Sequence, residues 1–264
     1  MKRSRILFAS MVLVSLAAPA FAITYGTADG KGHPNVGGLI AEGWLRPEQK
    51  DLLCSGTLIA PQVYLTAAHC TSYLESLGIS KVWVTFDNQF SAKSKLHSGR
   101  MVTHPEYGSS QSDPHDIAVV LLDRAVSGIT PARLPQEGLF DRLSDTHQLG
   151  QQLFTNVGYG GQERNIGPGG PTISYLDARE YSVSSFNALN SAWLRLSQNR
   201  ATGNGGTCYG DSGGPQFLGA GNDESNMVVS TTITGDSQCV ATNVTYRLDT
   251  ASARAFLWPF VALP

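Results

Sequence analysis

Residues 206–215 read GTCYGDSGGP and set Ser212 among Gly210, Gly213 and Gly214, beside Asp211 and four positions after Cys208. The glycines permit a tight backbone with N–H groups turned to one side, so the amides of Gly210 and Ser212 can together hold a negatively charged oxygen. Acyl transfer needs that environment around a nucleophile; an ordinary Asp-Ser-Gly-Gly turn does not. A serine hydroxyl attacks poorly until a base takes its proton, so the nucleophile reading demands a histidine, and a carboxylate to fix that histidine's tautomer.

Two upstream segments supply them. YLTAAHC (64–70) places His69 at the end of an apolar strand and beside Cys70, and HDIAVVLL (115–122) places Asp116 at the mouth of another. A lone histidine near a strand is commonly structural, and an aspartate before a strand is commonly a turn residue. The order His, Asp, Ser in three such contexts is a much stronger signal than any one of them.

The 264-residue chain can fold as one large β domain or as two smaller ones packed together. With 28 glycines, 15% charged residues and no long helical period, it reads as all-β, built from short strands and many turns. Strand candidates are 52–59, 63–65, 81–86 and 117–122, then 152–160, 172–183, 227–233 and 243–248. No repeat relates the two halves in sequence. The polar, proline-bearing stretch 123–151 suits a crossing between two β units. Glycine-rich loops at 162–171 and 219–226 are expected to be mobile. DTASARAFLWP (249–259) is expected to form a short terminal helix capped by Asp249 or Thr250 and stopped by Pro259.

Residues 1–22 run from Lys2, Arg3 and Arg5 through an apolar stretch, Ile6 to Ala18, to a small-residue site at Ala20-Phe21-Ala22. That is the layout of a secretory signal peptide. The apolar stretch is short of the roughly 20 residues that span a bilayer, so the mature chain, 23–264, is expected to be secreted, extracellular or periplasmic, and free of the membrane. Export favours oxidised thiols. Cys54, Cys70, Cys208 and Cys239 allow three pairings, of which the nearest-neighbour one puts a bridge in each half; zinc finds no closely spaced ligand pair. The net charge of −2, without basic clusters, excludes nucleic acid and anionic membranes as partners.

LTAAHC, HDIAVVLL and GDSGGP closely resemble the three catalytic segments of the chymotrypsin/trypsin family of serine endopeptidases. The resemblance covers nearly all of the mature chain: SGTLI (55–59), HPEY (104–107), GYG (158–160) and the terminal helix also match. It implies two six-stranded antiparallel β-barrels with the site between them. His69 is then general base and acid, Asp116 its orienter, Ser212 the nucleophile, and the Gly210 and Ser212 amides the oxyanion hole. It further implies disulfides Cys54–Cys70 and Cys208–Cys239, no cofactor, a monomer, protein or peptide substrates, and protein inhibitors as a second class of partner. An amino terminus freed at Ile23, by removal of the leader alone, is expected to pair with Asp211, although the double glycine usual in the family is missing after it.

By the same resemblance, Gly206 lies at the floor of the specificity pocket, where trypsin-like enzymes carry an aspartate, with Thr207, Ile233, Thr234 and Gly235 around it. Cleavage after uncharged, apolar or aromatic residues is therefore expected, with Asp236 near the rim able to attract a basic one. Ile233 stands where the family often has a serine bonded to the catalytic aspartate, and a third disulfide is absent. The stretch 87–96 lacks a calcium-loop carboxylate set, so no metal is expected. His33, His97, His104, His115 and His147 read as surface or loop residues, with His115 shaping the loop beside Asp116. NVT (243–245) is a glycosylation sequon within a strand candidate. Two other readings keep the same residues: a catalytically silent homologue acting as a binding or adhesion protein, and a narrow esterase or regulatory protease.

Overall fold

The structure, a computed structural model, describes residues 23–162, 165–168 and 170–264; the leader, 1–22, lies outside the described residues. In the first half, strands β1 (Val36–Glu42), β2 (Lys50–Ala60), β3 (Val63–Thr66), β4 (Lys81–Thr85), β5 (His97–Thr103) and β6 (Ala118–Leu122) close into a barrel in the order β1-β2-β3-β6-β5-β4. In the second, β7 (Leu153–Gly158), β8 (Glu180–Leu189), β9 (Trp193–Ser197), β10 (Pro215–Leu218), β11 (Val228–Gly235) and β12 (Thr242–Arg247) close in the order β7-β8-β9-β12-β11-β10. All pairings within the barrels are antiparallel, and the two orders are identical although the two sequences show no repeat.

The first barrel forms where both strand faces are apolar. In β6, Val120 and Leu122 join Leu39, Leu58, Tyr64 and Val84 inside the barrel, while Val119, with Ile117 just before the strand, faces the second barrel. The core between the barrels combines Val36, Ile59 and Leu65 of the first half with Val157, Phe217, Val228 and Tyr246 of the second. Helix α3 (Ala251–Leu257) seals that core with Ala253, Phe256 and Leu257; Thr250 caps it as expected, its hydroxyl accepting from the Ala253 N–H, and it ends before Pro259. Asp249 is instead buried, accepting from Arg247 and from the Phe140 N–H.

The second barrel buries polar side chains that satisfy one another. Asn156 donates to Ser184 Oγ at 2.8 Å, Gln216 to Thr232 Oγ1 at 2.8 Å, and Thr245 to Ser230 Oγ at 2.8 Å. Asn243, the sequon asparagine, is fully buried in this network and is no site for a glycan.

Several expectations are corrected. Helix α1 (Ala68–Ser76) takes in the end of the histidine segment, His69 included, and α2 (Leu139–Asp145) lies within the crossing, anchored by buried Phe140. Most of 172–183 is not strand; β8 begins at Glu180. The loop at 162–171 contains a two-strand hairpin, 165–167 with 170–172. The loop at 219–226 is pinned rather than free: Glu224 accepts from His33 Nε2 at 2.8 Å, and Asn226 accepts from Asn35 at 2.8 Å. His33 and His104 are buried, contrary to the surface reading. Burial would lower the His33 pKa, but its bonds to Asp29 and Glu224 outweigh that and raise it to about 9. His104 stacks between His115 and Phe256.

Candidate active site

The site forms where the two barrels face each other. His69 lies in the first turn of α1, a helix without a side-chain cap of its own. Asp116, 6% exposed at the start of the β6 segment, fills that need: Oδ1 accepts the His69 backbone N–H at 2.8 Å and Oδ2 meets the imidazole Nδ1 at 2.8 Å. One carboxylate thus satisfies an orphan helix donor and fixes the ring through the nitrogen that points away from the cavity. His115, at φ 48°, turns the chain immediately before Asp116. Among the described residues no serine hydroxyl donates to Asp116.

Ser212 is held by the first barrel. Its carbonyl accepts the Ser55 N–H at 2.8 Å, and Ser55 Oγ donates to the Gly210 carbonyl at 3.0 Å while accepting the Tyr159 N–H at 2.9 Å. Gly210 has φ 95° and Gly213 φ 79°, conformations that favour glycine; a Cβ on Gly213 would also overlap Thr66 Oγ1. Among the described hydrogen bonds, neither the Gly210 nor the Ser212 N–H is donated within the protein. The serine hydroxyl forms no hydrogen bond with His69 here, although both residues line one cavity; in unliganded sites such bonds often close only with substrate. Ser55 was quoted in the SGTLI match, but its clamp on the nucleophile loop had no sequence signal.

Asp211 is fully buried. Burial pushes its carboxyl up to about 7, against the opposing effect of the N–H groups of Cys208 at 2.9 Å and Gly160 at 2.8 Å. No ion pair reaches it among the described residues. Ile23 is also fully buried, and Thr24 pairs with Gly206, whose N–H donates to the Thr24 carbonyl at 3.0 Å. In this 264-residue chain the Ile23 nitrogen is joined to Ala22. The disulfides Cys54–Cys70 and Cys208–Cys239 are formed as the family resemblance implied.

A cavity of about 330 Å³ opens beside His69 and Ser212, lined by Thr207, Ile233, Thr234 and Gly235 among others. Gly206 is behind this lining rather than in it. A Cβ there would overlap the carboxamide of Gln198, a residue without exposure that the sequence gave no reason to single out. Asp236 lies on the rim, but its carboxylate already accepts the N–H groups of Gln238, Val240, Ala241 and Thr242. Partial burial works to raise its pKa, and these four bonds more than offset that. Its charge serves the loop around Cys239, and the cavity wall carries no uncommitted carboxylate.

Two closed barrels meeting at a histidine–aspartate pair opposite a glycine-flanked serine define a chymotrypsin-like double barrel. The family model described as Trypsin matches residues 31–256, and the chain belongs to that family of serine proteases. It is 30% identical over 186 residues to kallikrein-12 of Homo sapiens, covering 65% of this chain and 67% of that protein. It is 32% identical over 184 residues to a trypsin of Phaedon cochleariae, covering 62% and 64%. The match to vitamin K-dependent protein C of Rattus norvegicus, at 29% identity, spans only 39% of that longer protein. The solved structure of HL collagenase shares the fold, with a TM-score of 0.65 at 17% identity, over 90% of this chain and 97% of that one. Among the described residues no helix is long and apolar enough to cross a membrane.

Proposed function

We propose that the protein is a secreted, monomeric serine endopeptidase that cleaves peptide bonds through an acyl-enzyme. Ser212 Oγ attacks the scissile carbonyl carbon, and its proton passes to His69 Nε2. The resulting oxyanion faces the undonated N–H groups of Gly210 and Ser212. His69 then gives the proton to the leaving amine, and water, activated by the same imidazole, hydrolyses the ester. Asp116 keeps Nδ1 protonated and stabilises the imidazolium. The observation that carries this reading is the double grip of Asp116 on His69, on the same cavity as Ser212.

The one carboxylate of the cavity wall, Asp236, is engaged by four backbone N–H groups, which supports cleavage after uncharged residues. Removal of the leader at Ala22 frees the Ile23 amine, which then serves as counter-charge to Asp211. The test is fluorophosphonate labelling of the purified secreted protein, read by intact mass and peptide mapping. An adduct on Ser212 with Ile23 at the terminus is the expected result. No adduct on a chain that begins at Ile23 refutes the peptidase reading in favour of a silent binding homologue.

A further inference from the structure

Among the described hydrogen bonds, both of those made by the Asp116 carboxylate are with His69, so the backbone that carries Asp116 has to aim it. The chain reaches Asp116 through Asp113, Pro114 and His115, and His115 sits at φ 48°, a left-handed conformation that its Cβ disfavours. Asp113 holds this turn: its Oδ1 accepts the His115 N–H at 3.1 Å, and the same oxygen accepts the Tyr246 hydroxyl at 2.8 Å. Burial works to raise the Asp113 pKa, and hydrogen bonds from Tyr246, Ser252 and the His115 N–H, with the His115 ring nearby, more than offset that. Asp113 therefore accepts as a carboxylate.

Tyr246 is a rigid anchor for that bond. It is fully buried in the core between the barrels, and in β12 it is paired on both sides, with Trp193 of β9 and Thr231 of β11. The next residue of β11, Thr232, accepts the N–H of Gly213, the residue after Ser212, at 2.8 Å. The turn before Asp116 and the loop after Ser212 are thus tied to neighbouring rungs of the same two strands.

We infer that Asp113 and Tyr246 are a positioning pair for the triad, a tie across the two barrels that aims Asp116 at His69 from the frame that also carries Ser212. This rests on the peptidase reading above. Neither side chain lines the cavity of His69 and Ser212, so the pair acts through the backbone at His115 and Asp116. Both bonds fall on one oxygen of Asp113, so the pair needs an acceptor there and a hydroxyl at Tyr246, and does not need the negative charge.

The test uses the mature chain, a peptide that it cleaves, and fluorophosphonate titration to count active sites. Tyr246→Phe deletes one oxygen and leaves the ring in the core. It is expected to lower kcat about tenfold with KM little changed, as a misplaced catalytic group does and weakened binding does not. Fluorophosphonate labelling should slow by the same factor. Asp113→Ala should behave alike, whereas Asp113→Asn, which keeps the oxygen that takes both bonds, should hold kcat within about twofold of wild type. The double variant Tyr246→Phe with Asp113→Ala should lose no more than the poorer of the two single variants, because the two residues act as a unit. If Tyr246→Phe fails to fold, the two Asp113 variants decide. Unchanged kcat in folded Tyr246→Phe or Asp113→Ala overturns the inference. So does Asp113→Asn falling as far as Asp113→Ala, which would assign the effect to charge, and so do losses that multiply in the double variant. All of these results leave the peptidase reading standing, since the wild type labels and cleaves; no labelling and no cleavage by the wild type overturns that reading and the inference together.

Discussion

Retaining Ala22 in front of Ile23 is expected to cost the folded chain up to roughly 4 kcal/mol at pH 8. In the uncut chain Asp211 is buried with two backbone N–H groups and, among the described residues, no cation, and its carboxyl rises from 3.8 to about 7. An acid whose pKa is raised by folding binds its proton more tightly in the native state. Its contribution is fully present below 3.8 and is lost as pH rises through 7. A free Ile23 ammonium beside the carboxylate removes that loss. The comparison is between a chain starting at Ile23 and one starting at Ala22, both carrying Ser212→Ala to prevent self-digestion, unfolded in urea from pH 4 to 9. The two stabilities should lie closest at pH 4 and separate progressively to several kcal/mol by pH 8. Parallel curves across the whole range would refute the assignment of Asp211 as the partner of the new terminus.

Three further outcomes follow from the same geometry. Asp116→Asn should lower kcat by roughly 10⁴-fold, as the Ser-His-Asp template requires, while fluorescence-monitored unfolding shows a folded protein; a loss below tenfold would remove Asp116 from the mechanism. Ser55→Ala leaves the buried Tyr159 N–H unmet and releases the Gly210 carbonyl, so about 1–3 kcal/mol of stability should go, together with a fall in kcat larger than any rise in KM; unchanged kcat would show that the clamp does not position the nucleophile loop. His33 is raised to about 9 through Asp29 and Glu224, so its stabilisation is full below 6.5 and lost as pH climbs through 9. His33→Gln should flatten the decline in stability of the mature chain between pH 7 and 9.5, and an identical decline in both proteins would discard this clamp.

The strands most plainly legible in the sequence are those whose surroundings are apolar on both sides. IAVVLL at 117–122 is continuous because one face fills the first barrel and the other the core between barrels. Four strands carried no such signal. VGGLIAE (36–42) needs Gly37 because the Thr85 carbonyl occupies the space of its Cβ, and glycine mutes the pattern. HSGRMVT, WLRLS and PQFL are short or polar; in PQFL, Gln216 points inward because it bonds to the buried hydroxyls of Thr232 and Ser230 rather than to water. Alternation cannot reveal a core of that kind. The same limit hid the packing of buried Gln198 against Gly206 and Thr207, which lie eight and nine residues further along the chain. The three segments around His69, Asp116 and Ser212 were legible because glycines, cysteines and apolar strands constrain each one locally.

The two disulfides close loops of 16 and 31 residues, each within one barrel, and neither ties one barrel to the other. Cys70 is the neighbour of His69, and Cys208 opens the segment that ends at Ser212, so each clasp tightens one half of the site. In the chain-entropy picture each contributes roughly 3 kcal/mol, concentrated where the reacting groups must be held still. A newly made chain in a thiol-rich cytosol has neither clasp. Under the proposed export and peptidase activity, oxidation beyond that boundary acts as an arming step, tying the ability to cut protein to having already left the compartment whose proteins it would otherwise damage.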